Sequence, residues 1–133
     1  MIRRAATAAF ALLLAACASS GPKEGEDVLP KDYRNDIKVL LQLTLDDPTN
    51  LREAGVTEPR IDPSAPIKRY YSCVKYNARE LTTKRYKGLV EKIAVFHEGN
   101  LNQMIDPPPG MCAGAAYRPF PEIEKMCLGN KCD

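Results

Sequence analysis

The chain carries a single histidine and no C-x-x-C pair. G-x-S-x-G, a phosphate-binding glycine loop and a calcium loop are all missing, so the short motifs that mark nucleophilic, nucleotide or EF-hand chemistry are excluded. The lone His97 stands at the end of an apolar run beside Glu98-Gly99-Asn100. A general base or metal ligand there would need partner groups that the surrounding sequence does not supply, which favours a surface or packing role. Zinc held by His97, Cys112, Cys127 and Cys132 has the right ligand chemistry but lacks the paired short cysteine spacings of a zinc module. No cofactor is expected, and the chain reads as a non-enzyme.

Long apolar runs are equally scarce. The longest, residues 5–16, has 12 residues, too few to span a bilayer as a helix. It follows Arg3 and Arg4 and ends in Leu14-Ala15-Ala16-Cys17, the build of a secretory signal closed by a cysteine. The two arginines are explained as signal-peptide charge rather than a twin-arginine export mark. The motif resembles the bacterial lipobox. That resemblance implies cleavage after residue 16, diacylation of the Cys17 sulfur and acylation of the new amino terminus. Each buried methylene contributes about 0.8 kcal/mol, so two or three acyl chains anchor a protein stably where one does not. Ala18 follows where aspartate would favour the inner membrane in enteric bacteria, so a periplasm-facing outer-membrane location is expected.

Removing residues 1–16 from the 133 leaves 117, one small domain with a tether, and takes away both arginines behind the formal charge of +2. The mature chain holds 17 bases and 17 acids. They are segregated: residues 24–58 carry nine acids against four bases, and residues 66–92 carry eight bases against two acids. Lys68, Arg69, Lys75, Arg79, Lys84, Arg85, Lys87 and Lys92 form the candidate surface for an anionic partner. Tyrosines interleave with them, a pattern that in the cytoplasm suggests nucleic acid. Export removes that partner and substitutes lipid headgroups, lipopolysaccharide phosphates or acidic protein surfaces. The alternative is a solvated face whose bases pair with the acidic segment.

Four cysteines remain beyond Cys17: Cys73, Cys112, Cys127 and Cys132. An even count in a small exported domain reads as two disulfides, with three possible connectivities. The four-residue Leu128-Gly129-Asn130-Lys131 spacer favours a local Cys127–Cys132 bridge, which leaves Cys73 for Cys112, although spacing alone does not choose.

The expected fold is α+β: a helix on a three-stranded antiparallel meander, with a stapled C-terminal tail. Residues 17–30 are polar and proline-bearing, a flexible tether, and residues 31–133 form the domain. Tyr33, Ile37, Leu40, Leu41 and Leu45 have helical spacing, widened by Val39 and Leu43 into a stripe that carries the helix into the core. Residues 49–54 suit a second short helix capped by Thr49, and Pro59, Pro63 and Pro66 make residues 57–66 an extended crossover. Strands are expected at 67–78, 89–97 and 101–105, with a positive-φ turn at Glu98-Gly99-Asn100. Pro107-Pro108-Pro109 ends the sheet, Pro121 opens a short helix, and the tail covers the face opposite the first helix.

The stretches Leu45-Asp46-Asp47-Pro48-Thr49-Asn50-Leu51-Arg52-Glu53-Ala54, Tyr71-Ser72-Cys73-Val74-Lys75-Tyr76-Asn77-Ala78-Arg79 and Ala115-Ala116-Tyr117-Arg118-Pro119-Phe120-Pro121-Glu122 resemble a family of small alphaproteobacterial lipoproteins. The resemblance implies an envelope location and brings no activity with it. Helices before a three-stranded antiparallel sheet are also similar in topology to the small lipoproteins of the β-barrel assembly machinery, an analogy that no motif carries. The leading expectation is therefore a lipid-anchored binding or structural partner in the envelope. The alternative is an inhibitor or enzyme acting on a cell-wall or host substrate.

Overall fold

The computed structural model describes residues 27–132. Cys17 with its lipobox, the signal segment 1–16 and residues 17–26 of the expected tether lie outside the described residues.

Tyr33–Thr44 forms α1, with Asp36 in its first turn where the helix dipole favours an acid. Ile37 and Leu41, one turn apart, are buried against the sheet. The expectation that Val39 and Leu43 take the helix into the core is corrected, because they are 45% and 78% exposed. Each lies two residues beyond a buried position, about 200° around the helix, and so on its outer side.

The sheet has five strands rather than three, in the order β4 (Asn100–Ile105), β3 (Tyr86–His97), β2 (Tyr71–Arg79), β1 (Arg52–Val56) and β5 (Arg118–Pro119), every neighbouring pair antiparallel. β2 (Tyr71–Arg79), β3 (Tyr86–His97) and β4 (Asn100–Ile105) form the meander. Glu98 and Gly99, both at positive φ, make its second turn. Ile93, Ala94, Val95 and Phe96 are buried, as an apolar run on both faces of an interior strand requires.

β1 (Arg52–Val56) takes the second half of the expected second helix. Asn50 and Glu53 have φ of 52° and 55°, which no right-handed helix accommodates. The Thr49 hydroxyl donates to the Asp47 carboxylate instead of capping a helix. Without β1, the outer edge of buried β2 would lack hydrogen-bond partners. Gly55 and Val56 supply them to Lys75 and Val74, and a bulge carries the chain back to Arg52 opposite Asn77. β5 (Arg118–Pro119) adds two residues outside β1.

The two faces are unequal. On the first, Ile37, Leu41, Val74, Tyr76, Phe96, Phe120, Ile123 and Met126 belong to the larger core. Fully burying one such aliphatic or aromatic side chain contributes about 1.5–3 kcal/mol. On the second, Tyr71, Cys73, Ile93 and Val95 meet Ala65, Met111 and Cys112. The tail does not simply cover the face opposite α1, as expected. Residues 111–117 cover the second face, β5 passes the sheet edge, and α2 (Pro121–Glu124) returns to the first face beside α1. Phe120, immediately after the edge crossing, is completely buried there.

Two disulfides join Cys73 to Cys112 and Cys127 to Cys132, with Cα separations of 5.9 and 4.1 Å. The first staples the tail across the second face. The second closes a turn in which Leu128 and Lys131 bridge. From Asp27 the chain is already seated: the Asp27 carboxylate accepts from the backbone amides of Glu98 (2.7 Å) and Tyr70 (3.4 Å). The last residues of the expected tether are thus held by the domain.

Candidate functional site

The eight cations expected to face an anionic partner are not gathered into one patch. Asp47, only 1% exposed, draws two of them inward. Its carboxylate accepts from the Thr49 amide (3.0 Å) and Lys84 Nζ (3.1 Å), and lies 3.3 Å from Arg79 Nη2. Burial raises the Asp47 pKa, but the Thr49 hydrogen bonds, the Lys84 ammonium and the Arg79 charge together outweigh it and hold the carboxyl below its usual value. Lys87 lies 3.6 Å from Asp46, and Lys92 2.6 Å from Asp106. Lys68 donates to the Pro63 carbonyl. Arg69 and Arg85 form no ion pair among the described residues.

The remaining member, Lys75, leads to a site that the charge pattern did not reveal. Gly55 stands between Lys75 on β2 and Pro119 on β5. A Cβ at Gly55 would approach Lys75 Cε to 2.9 Å and Tyr117 Cβ to 3.3 Å, so only glycine leaves room for the lysine to lie across the strand. Lys75 Nζ then sits 4.7 Å from the centre of the Tyr117 ring, a cation–π contact. The Tyr117 hydroxyl donates to the Glu91 carboxylate. Burial and that acceptor push its pKa far above the ordinary phenol value, so Tyr117 remains a fixed proton donor at neutral pH.

Around this pair run two adjoining shallow clefts that share Arg118. One, of about 390 Å³, is lined by Glu53, Gly55, Lys75, Tyr117 and Pro119. The other, of about 260 Å³, is lined by Thr57, Glu58, Arg60 and Ala116. Arg118 Nη1 meets Glu58 Oε1 at 2.9 Å, and Arg60 lies 5.4 Å from the Tyr71 ring centre. The groove presents guanidinium and ammonium donors on an aromatic floor, suited to holding a carboxylate or an extended backbone. Its charged and acid–base groups partner one another, Arg118 with Glu58 and Tyr117 with Glu91 and Lys75. Reasoning from sequence missed Arg60, Glu91, Tyr117 and Arg118. Tyr117-Arg118-Pro119 was their one local signal, an aromatic and a cation presented on an extended stretch.

His97 is 52% exposed in its side chain, with Nε2 3.8 Å from Glu98 Oε1. Its proposed zinc companions are consumed: Cys112, Cys127 and Cys132 are all in disulfides. Among the described residues no group of three or more histidine, cysteine or acidic side chains is placed to hold a metal ion. No helix there is long and apolar enough to cross a membrane. No protein-family model, curated protein or solved structure matches this chain.

Proposed function

We propose that this chain is an envelope lipoprotein, anchored through acylated Cys17 and facing the periplasm, sorted by Ala18 toward the outer membrane. It acts as a non-enzymatic binding or structural partner. The observation that carries the reading is Leu14-Ala15-Ala16-Cys17 at the close of a 12-residue apolar run preceded by two arginines. Two disulfides support it, because an oxidising compartment is where such bonds persist in small domains. The groove at Lys75, Tyr117 and Arg118 is the partner surface in this reading, and a protein segment that brings a carboxylate is the chemistry it suits.

Fractionation of cells expressing the wild type and Cys17→Ala tests the anchor. The wild type is expected in membranes, and the variant is expected to be released or to remain as uncleaved precursor. Crosslinking in intact membranes tests the partner role: a specific protein captured by the wild type should be lost with Tyr117→Ala or Arg118→Glu. Recovery of no specific partner would sink that half of the proposal.

A further inference from the structure

We propose that the end of the sheet where the chain enters at Asp27 docks on a bilayer surface of anionic phospholipid headgroups, an inference that rests on the lipoprotein reading above. Nine residues, 18–26, lie between Cys17 and Asp27, ten steps of the chain with a reach of about 35 Å at full extension. An acylated Cys17 therefore holds this end of the sheet within about 35 Å of the membrane. The Asp27 contacts to Tyr70 and Glu98 fix the point of entry at the start of β2 and the β3–β4 turn.

The chemistry exposed at that point fits a headgroup layer. Val28 and Leu29 are 52% and 51% exposed, an adjacent apolar pair with Val28 lying against Gly99. Lys31 follows them, and Lys68 and Arg69 immediately precede Tyr70. All three are exposed and in no ion pair among the described residues. Of the nearby acids, Asp27 receives the backbone amides of Val28, Tyr70 and Glu98, Glu98 lies beside His97, and Asp32 is exposed next to Lys31. Apolar side chains that insert at the acyl boundary, flanked by cations that meet phosphate, are the recognition chemistry of an anionic interface. The opposite end, at the β2–β3 loop, also exposes Leu81 and Arg85, the latter in no ion pair among the described residues. Its Lys84 and Lys87, however, are paired with Asp47 and Asp46, and the loop lacks an adjacent apolar pair.

The chain has no tryptophan, so single tryptophans report each end. Leu29→Trp marks the proposed docking end. Leu81→Trp, at a position 48% exposed in the β2–β3 loop, marks the far end, about 30 Å away along nine residues of β2. Each mature protein, purified from membranes, is reconstituted into vesicles of brominated phosphatidylglycerol or brominated phosphatidylcholine. Quenching is expected for Leu29→Trp in phosphatidylglycerol, weakly in phosphatidylcholine, and not for Leu81→Trp. Lys68→Glu with Arg69→Glu, in the Leu29→Trp background, is expected to lower the docked population by about tenfold or more. Equal quenching of both probes, or none at Leu29→Trp, overturns the docking. The mass of the Cys17 peptide from the same sample separates the two readings. Acylated Cys17 without quenching defeats docking alone, whereas unmodified Cys17 with quenching retained defeats the lipoprotein reading alone.

Discussion

The two faces of the sheet are held to their covers by different means. On the first, thirteen buried residues from α1, α2, three strands and the segments beside them interlock, and apolar burial suffices. On the second, seven buried residues are available, two of them the cysteines of the Cys73–Cys112 bridge. A cover contributing little more than Ala65, Met111 and Cys112 buries too little area to offset its own ordering entropy, and a covalent bond makes up the difference. A domain of this size can therefore cover a whole sheet, provided the poorer face is stapled.

The largest expected effect comes from removing that staple. Replacing Cys73 and Cys112 together with alanine should cost about 4 kcal/mol by loop-closure entropy across the 39-residue separation. Urea unfolding would read the loss, and limited proteolysis should cut first in the released tail near residues 106–117. Phe120→Ala probes the packed face instead and should cost about 3–4 kcal/mol as a cavity in the main core, without opening that tail. Equal protease sensitivity in the two variants would erase the distinction between the faces. Asp47→Asn should cost about 2–3 kcal/mol, because Arg79 and Lys84 lose their carboxylate. The folded-state pKa of Asp47 is depressed, so its contribution is complete above the unfolded value near 4 and is lost as pH falls through the folded value. Wild-type stability should thus fall more steeply than that of Asp47→Asn as pH drops below about 4 in paired urea titrations. Removing Cys127–Cys132 should cost least, about 2 kcal/mol, because the bridge spans five positions and closes a turn at the surface.

What could be read from sequence was what local chemistry decides. The spacing of Ile37 and Leu41 placed α1, the alternation around Val74 and the run at Ile93 placed β2 and β3, Gly99 marked their turn with β4, and Pro121 opened α2. The tight Cys127 to Cys132 spacing favoured the pairing found. β1 was hidden because partners decide it: Gly55 and Val56 pair with residues about twenty positions away, and Glu53 adopts a conformation that no propensity scale anticipates. β5, two residues long, exists only as an addition to β1. The charge pattern along the chain shows the basic segment, but not that Asp47 folds back to bind Arg79 and Lys84. The groove at Tyr117 was illegible for the same reason, since Gly55, Lys75, Glu91 and Tyr117 come from four separate segments.

Peptide mapping without reduction, on protein extracted from its own membranes, tests the account most directly. Linked peptides containing Cys73 with Cys112 and Cys127 with Cys132 are expected, together with an N-terminal peptide beginning at Cys17 and heavier by its acyl groups. Four free thiols, or an unmodified Cys17 preceded by residues 1–16, would contradict it.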